Sequence, residues 1–330
     1  EERAPRCNSS ELLVHSEGDL RTARELRLWE LGLARRAHKE WNSTVYLVIT
    51  DYAFRSGFDN LVSAAKSLMG LLPAVVALDA ETERYFFPHV PVLRYAPGVN
   101  QHGFGGQDQM LRYALVHRLL LRSLRVVYSD IDVFLMRSPL ELDEPRADVT
   151  VAGHAYDNEA CSGFFIAKPT RASALLFGAL VSFIDAHYDW RSHRDLNLQR
   201  VFDYALRRRP NPWIVGSTFT VPDLHTLGGH ALWALAPVQR LMHYTMPRDR
   251  SSTSFDHYRL GDAADARPVG AHLWSQAGSP GARVMLACLL GYWTSAEPPS
   301  EPDIEPSSCF WCLHGWGALS AARSEWCYRR

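Results

Sequence analysis

Val126-Val127-Tyr128-Ser129-Asp130-Ile131-Asp132-Val133-Phe134-Leu135 runs from an apolar, β-branched strand straight into two carboxylates one residue apart. A desolvated charge costs several kcal/mol, so a strand ending this way cannot keep both acids buried and unpaired. They must face a cleft, a cation or a basic partner. Two carboxylates at a strand terminus can both reach a hard divalent ion, which prefers oxygen ligands and often retains phosphate oxygens as well. An Asp-x-Asp pair alone is expected about once by chance in a chain of this composition; the position at the end of a strand gives this one its meaning.

The surroundings of that strand predict an α/β fold. Residues 17–41 place Leu20, Leu26, Trp29, Leu33 and Ala37 among Arg, Glu and Lys at helical spacing. Val45-Tyr46-Leu47-Val48-Ile49-Thr50 is a strand ending in Asp51. A helical stretch follows at 59–70, and then Ala74-Val75-Val76-Ala77-Leu78, ending in Asp79. A short strand around 90–95, a Gly-rich loop at 98–106 and a helix at 107–122 lead back to the motif strand. Repeated β-α-β units predict a mostly parallel sheet with its ligand site beyond the carboxyl ends of the strands, where Asp51, Asp79 and Asp130 all fall. Beyond the motif, strands are expected at 149–152 and 161–167 and helices at 172–187 and 196–208; no element is assigned over 210–281.

Composition narrows the function classes. The chain has 330 residues, 47% hydrophobic and 22% charged, enough to build a sizeable core and too apolar for global disorder. A formal charge of −1 offers no electrostatic excess for nucleic acid. No apolar run approaches the roughly 20 residues that span a bilayer. Six cysteines, three of them in the last 22 residues, and the sequons Asn8-Ser9-Ser10 and Asn42-Ser43-Thr44 favour an oxidising secretory compartment. The tail Cys309, Cys312, His314 and Cys327 has the donor types for zinc, but oxidation in a lumen favours disulfides.

Residues 128–140 resemble the signature of the nucleotide-diphospho-sugar transferase family that contains plant arabinosyltransferases and pectin xylosyltransferases, where "sDvDvvwlrdPl" is typical. Val75-Val76-Ala77-Leu78-Asp79 is similar to that family's "vvalD" strand, and Arg112 stands where the preceding helix often carries a Lys. Cys161-Ser162-Gly163-Phe164-Phe165 is similar to "NsGFf", and Leu198-Gln199-Arg200-Val201-Phe202-Asp203 to "DQxxFN". His272-Leu273-Trp274 through Arg283 is similar to "H…GtxGKr". Cys161, Leu198 and Ala282 depart from the usual Asn, Asp and Lys.

The resemblance implies a GT-A-like fold, a central mostly parallel mixed sheet flanked by helices, that binds a UDP-sugar with Mn²⁺ or Mg²⁺. Carried over by position, Asp132 would ligate the metal, Asp130 would contact ribose or a metal-bound water, and His272 would complete the coordination. Thr50 and Asp51 would receive the nucleobase and ribose. Asp79, Arg112, Gly163 and Arg283 would line the donor site, and Gln199 would join Asp130 and Asp132 in the catalytic set. The family retains configuration at the anomeric carbon. A double displacement would need a carboxylate there, for which Asp157, Glu159 and Asp195 are candidates; front-face departure needs none and is preferred.

The expected organisation is a flanking helix at 1–42, a transferase domain at 43–295 and a Pro-rich linker with a Cys/Trp-rich appendage at 296–330. The expected partners are a nucleotide-sugar donor, pentose favoured, and a glycan or glycoprotein acceptor, with no nucleic acid. The expected location is the Golgi or secretory lumen, with membrane contact only through an anchor preceding Glu1. Two other readings compete: a haloacid-dehalogenase-like phosphatase, whose nucleophile also heads an Asp-x-Asp motif, and an inactive glycan-binding member of the family.

Overall fold

The computed structural model describes residues 17–87, 89–95, 107–153, 160–187, 198–207, 231–235, 241–245 and 269–274. A seven-stranded sheet forms its centre, in the order β3-β2-β1-β4-β7-β6-β8. The strands are β1 (Thr44–Thr50), β2 (Pro73–Ala77), β3 (Val92–Arg94), β4 (Arg125–Ser129), β6 (Val149–Gly153), β7 (Ala160–Ala167) and β8 (Trp233–Leu235). β3, β2, β1 and β4 are parallel neighbours, β7 is antiparallel to both β4 and β6, and β8 is parallel to β6. The expected mixed, mostly parallel sheet flanked by helices is therefore what the chain forms.

Burial explains the apolar strand sequences. All seven residues of β1 and all five of β2 are buried, as a parallel sheet covered on both faces requires. Helix α1 (Glu17–Glu40) lays Leu26, Leu33, Ala34 and Ala37 on the same core. Its Glu30, only 1% exposed, is paired with Arg118 and Arg122. Arg118 lies in α4 (Gln107–Leu121) and Arg122 is the residue after it, so one buried carboxylate ties the first helix to the end of the helix before the motif strand. The α4 helix packs on α5 (Arg171–His187), and α6 (Leu198–Arg207) packs on β7. Between them Tyr113, Phe165, Phe177 and Phe202 form an aromatic cluster, with Tyr113 stacked on Phe202 at 5.5 Å.

Some elements differ from expectation. Helix α2 (Arg55–Met69) begins four residues before the expected 59, and a short α3 (Ala80–Phe86) occupies a stretch with no assigned element. Asp79 starts α3 by accepting the Thr82 amide at 2.7 Å, an N-cap interaction that periodicity cannot display in seven residues. The three residues after the motif form β5 (Val133–Leu135), which belongs to a second, three-stranded sheet with β10 (Gly270–Trp274) and β9 (Leu241–Thr245), in the order β5-β10-β9. Both partner strands come from the stretch left unassigned in the sequence. The tail at 296–330 and its cysteines lie outside the described residues.

Candidate active site

Register places the ends of β1, β2 and β4 along one edge of the sheet. Thr50 pairs with Ala77, and Leu47 with Tyr128, so Thr50-Asp51, Leu78-Asp79 and Asp130 leave neighbouring strands at the carboxyl end. This is where a parallel sheet opens a crevice for ligands.

Asp130 is held by a buried cation and a phenol hydroxyl. Its Oδ1 accepts from Arg112 Nη2 at 2.9 Å and from the Tyr128 hydroxyl at 2.7 Å, while its amide donates to the Gly163 carbonyl at 2.7 Å. Arg112 donates from Nη1 to the carbonyl (2.6 Å) and hydroxyl (3.0 Å) of Ser162, and its guanidinium carbon sits 4.4 Å from the Tyr128 ring centre. Burial works against charge on Arg112, but Asp130 outweighs it and holds the guanidinium above its ordinary value. Tyr128 is pushed upward by burial, with the Asp130 charge acting in the same direction against Arg112. The tyrosine therefore stays a neutral donor to Asp130. The Asp130 side chain keeps 29% exposure, whereas Asp132 is 4% exposed in the turn that follows.

That turn is held from two directions. Gly57 of α2 lies against it, where even a Cβ would make an ordinary contact, 3.4 Å, with the Ile131 carbonyl oxygen. β10 closes it from the other direction. Met136 and Arg137 donate to the Val269 carbonyl at 2.8 and 3.1 Å, and a Cβ on Gly270 would stand 2.5 Å from the Phe134 carbonyl oxygen. Only glycine permits this approach. It fixes the antiparallel pairing of β10 on β5 in which His272 is opposite Val133, the residue after Asp132. Asp132 and His272, 140 positions apart in sequence, become neighbours through strand register.

The nucleoside-side candidates form a second group. Thr50 and Asp51 are buried, the Thr50 hydroxyl donates to the Asp51 carbonyl, and the Thr50 carbonyl accepts from Leu78 at 3.0 Å. Asp79 accepts the Tyr52 amide at 2.8 Å as well as that of Thr82. Burial alone would raise its pKa, but these backbone donors reverse the sign and hold it below the usual carboxylate value. Asp79 thus locks the β1 loop to the start of α3.

Gly163 lies where the β6/β7 register jumps from Val151–Phe165 to Ala152–Cys161, so the strand bulges beside the motif. Cys161, at the position of the expected Asn, is buried, with its sulfur accepting the Gly163 amide at 3.4 Å. Of the "DQxxFN"-like segment, Phe202 joins the aromatic cluster and Asp203 accepts the Ala160 amide at 2.6 Å, anchoring the start of β7. Gln199 falls in the first turn of α6. Arg283, Asp157, Glu159 and Asp195 lie outside the described residues.

Sequence reasoning overlooked Tyr128, Ser162 and Gly270. Tyr128 and Asp130 are two positions apart, as are Gly270 and His272, and period two places each pair on one side of its strand. That was the available signal. Among the described residues no three His, Cys, Asp or Glu side chains gather as a metal site; backbone register sets His272 opposite Val133, the residue after Asp132. Two hard carboxylates with one imidazole nonetheless form a donor set that fits Mn²⁺.

Residues 74–226 match the family model for nucleotide-diphospho-sugar transferase. No curated protein sequence matches the chain. Among solved structures, it is similar to the glycosyltransferase GlyE of Streptococcus pneumoniae TIGR4 at 14% identity and a TM-score of 0.40, over 71% of this chain and 55% of that one. It is also similar to a PBCV-1 glycosyltransferase involved in glycosylation of the major capsid, at 7% identity and a TM-score of 0.40, over 72% of this chain and 96% of that one. A third is mouse xyloside xylosyltransferase 1, at 12% identity and a TM-score of 0.37, over 69% and 97% respectively. This chain thus spans about half the length of the pneumococcal protein. The family match encloses Arg112, the Asp130–Asp132 turn and all of β7.

Proposed function

We propose that this chain is a metal-dependent, retaining glycosyltransferase that moves a sugar from a UDP-sugar to a glycan or glycoprotein acceptor. The observation that supports it is the Asp130–Asp132 turn at the carboxyl edge of the parallel strands, with His272 in register beside it. Asp132, Asp130 and His272 would hold the ion. A bound divalent ion supplies charge neutralisation at the departing diphosphate.

The remaining steps belong to the chain's own residues. Arg112 and Tyr128 orient Asp130, so that its carboxylate is presented in one position instead of sampling several rotamers. Thr50 and Asp51, at the neighbouring strand end, bind the nucleoside. Asp79 is a positioning residue, since both of its oxygens already accept backbone amides. The Gly163 bulge sets the backbone against which the donor sugar lies. The leaving phosphate takes the acceptor proton on the same face, which accounts for retention without a second carboxylate.

A pentose donor is favoured, with UDP-arabinose, UDP-xylose and UDP-galactose to be tried in that order. The proposed location is the secretory lumen, and Asn42, exposed in the turn between α1 and β1, would carry a glycan there. The family model's match over the motif supports the transferase reading over the phosphatase one.

The test is UDP release by the full chain from a panel of UDP-sugars, with Mn²⁺ or with chelator, compared with Asp132→Ala. Metal-dependent release from one donor, lost in Asp132→Ala, is the expected result. Absence of release from every donor, together with absence of donor and metal binding by calorimetry, overturns the reading in favour of a glycan-binding protein.

A further inference from the structure

Two consecutive residues of β7 hold Asp130 at both ends. The Gly163 carbonyl accepts its backbone amide at 2.7 Å, and Ser162 reaches its carboxylate through Arg112. Nη1 of Arg112 donates to the Ser162 carbonyl at 2.6 Å and to the Ser162 hydroxyl at 3.0 Å, while Nη2 donates to Asp130 at 2.9 Å. The remaining nitrogen, Nε, is buried with no hydrogen-bond partner among the described residues. The hydrogen bonds that aim the guanidinium are therefore those to Ser162 and Asp130. Tyr128 cannot aim it alone, because its hydroxyl donates to the same Asp130 oxygen and its ring contact to the central guanidinium carbon does not select which nitrogen faces the acid.

The Ser162 hydroxyl is itself held. A serine hydroxyl can accept and donate at once. It accepts from Arg112 and also hydrogen-bonds the Tyr113 hydroxyl. Burial pushes Tyr113 upward, against the Arg112 charge and this hydrogen bond, so the phenol stays neutral. Tyr113 is fully buried and stacks on Phe202 at 5.5 Å, which anchors the far end of the chain of contacts in the aromatic cluster. Ser162 is buried as well, in a place where a lost hydrogen bond is costly.

We propose that Ser162 is a positioning residue: its hydroxyl aims Arg112, and Arg112 in turn sets the orientation in which Asp130 meets the metal-bound nucleotide. This rests on the metal-dependent reading above and deepens it. That reading gives Arg112 and Tyr128 the task of orienting Asp130, and Ser162 supplies what orients Arg112.

The experiment measures UDP affinity of the full chain by calorimetry in saturating Mn²⁺, for the native chain, Ser162→Ala, Arg112→Lys and the double variant. Ser162→Ala removes the hydroxyl and keeps the carbonyl, so one charge-assisted hydrogen bond is lost and affinity should fall roughly tenfold. Arg112→Lys cannot span Ser162 and Asp130 together. Adding Ser162→Ala to it should therefore cost less than about twofold more, because residues of one network lose their effects together, whereas a packing defect in β7 would add in full. Circular dichroism checks folding. Tyr113→Phe keeps the ring on Phe202 and removes the hydroxyl that Ser162 meets, so it tests the same chain of contacts without altering β7; affinity should fall roughly two- to fivefold.

Unchanged affinity in folded Ser162→Ala, or losses that add in full in the double variant, overturns the role of Ser162 and leaves the transferase reading standing. If Ser162→Ala does not fold, unchanged affinity in Tyr113→Phe overturns it instead. Absence of UDP binding by the native chain in Mn²⁺ overturns both.

Discussion

In the seven-stranded sheet, β1, β2 and β4 are apolar runs, each buried along nearly its whole length, with α2 joining β1 to β2 and α3, β3 and α4 joining β2 to β4. In the three-stranded sheet, β5 has only three residues and pairs with a strand more than 130 positions away. What holds it is a close backbone approach at Gly270 and two amides on the Val269 carbonyl. The large sheet is stabilised by apolar area, about 25 cal/mol for each Å² buried. The small one depends on fit. The difference separates stability from positioning: the large sheet presents Asp51, Asp79 and Asp130 at its edge, and the small sheet sets the backbone of His272 opposite Val133, the residue after Asp132.

The sharpest way to break that comparison is Gly270→Ala, which disturbs the small sheet and leaves the apolar runs of the large one intact. Its Cβ would stand 2.5 Å from backbone oxygen, a separation that side-chain movement cannot relieve. Displacing a positioned ligand by about 1 Å can cost about 100-fold in rate. Mn²⁺-dependent UDP release should therefore fall by about 100-fold while circular dichroism still shows the α/β fold. Release within twofold of the native chain would show that β10 does not hold the site.

Arg112 stands where the two regions meet, since it joins α4, β7 and the motif turn. Arg112→Ala leaves the Ser162 carbonyl and the Asp130 carboxylate without their cation. Breaking a buried pair by removing one partner costs roughly 3–5 kcal/mol, and the 29% exposure of Asp130 reduces this to about 2 kcal/mol. Urea unfolding should show that loss, and donor affinity should fall with it. Arg112→Lys keeps a charge but cannot reach Asp130 and Ser162 together, so it should recover only part of each.

The sequence was informative wherever structure follows from local pattern. Apolar runs bounded by Asp51, Asp79 and Asp130 announced the parallel strands and their shared edge. The Asp-x-Asp placement announced a cation or basic partner, and Arg112 is such a partner. Helix α3 was missed because its signal is a single N-cap at Asp79. The short β5, β9 and β10 were missed because a strand of three to five residues is defined by its partner, and no pattern within it identifies that partner. The segments resembling "NsGFf" and "DQxxFN" proved to contain structural residues as well, since Phe202 packs in the aromatic cluster and Asp203 anchors β7. A conservative motif match cannot separate such packing positions from ligand-binding ones.

A change confined to the helices that cover the large sheet tests the comparison from the opposite side. Gly178 of α5 faces His117 of α4 so closely that a Cβ would lie 3.0 Å from the imidazole. In Gly178→Ala the crowding of the imidazole opposes the roughly 1 kcal/mol that Ala gains over Gly inside a helix, so urea unfolding should shift by about 1 kcal/mol or less. Because no part of the small sheet is touched, Mn²⁺ affinity should remain that of the native chain. A fall in metal affinity would show that the two regions are mechanically coupled.

The smallest effect is a pH dependence at the same contact. Burial lowers the pKa of His117 from 6.5, and the neighbouring Arg118 adds to the effect. Its buried Nδ1 has no hydrogen-bond partner among the described residues. Because the folded state holds this ring neutral, the unfolded chain binds the proton more readily, and stability falls as pH drops from about 6.5 towards the lower folded-state value. Asp79 acts in a separate window. Its pKa is held below 3.8, so its contribution is complete above that value and is lost only in stronger acid. Melting temperatures between pH 7.5 and 5 should therefore fall more steeply for the native chain than for His117→Leu, which keeps an apolar side chain against Gly178 and removes the titrating group. Parallel curves would assign the acid sensitivity to another group and leave the α4–α5 contact with a packing role alone.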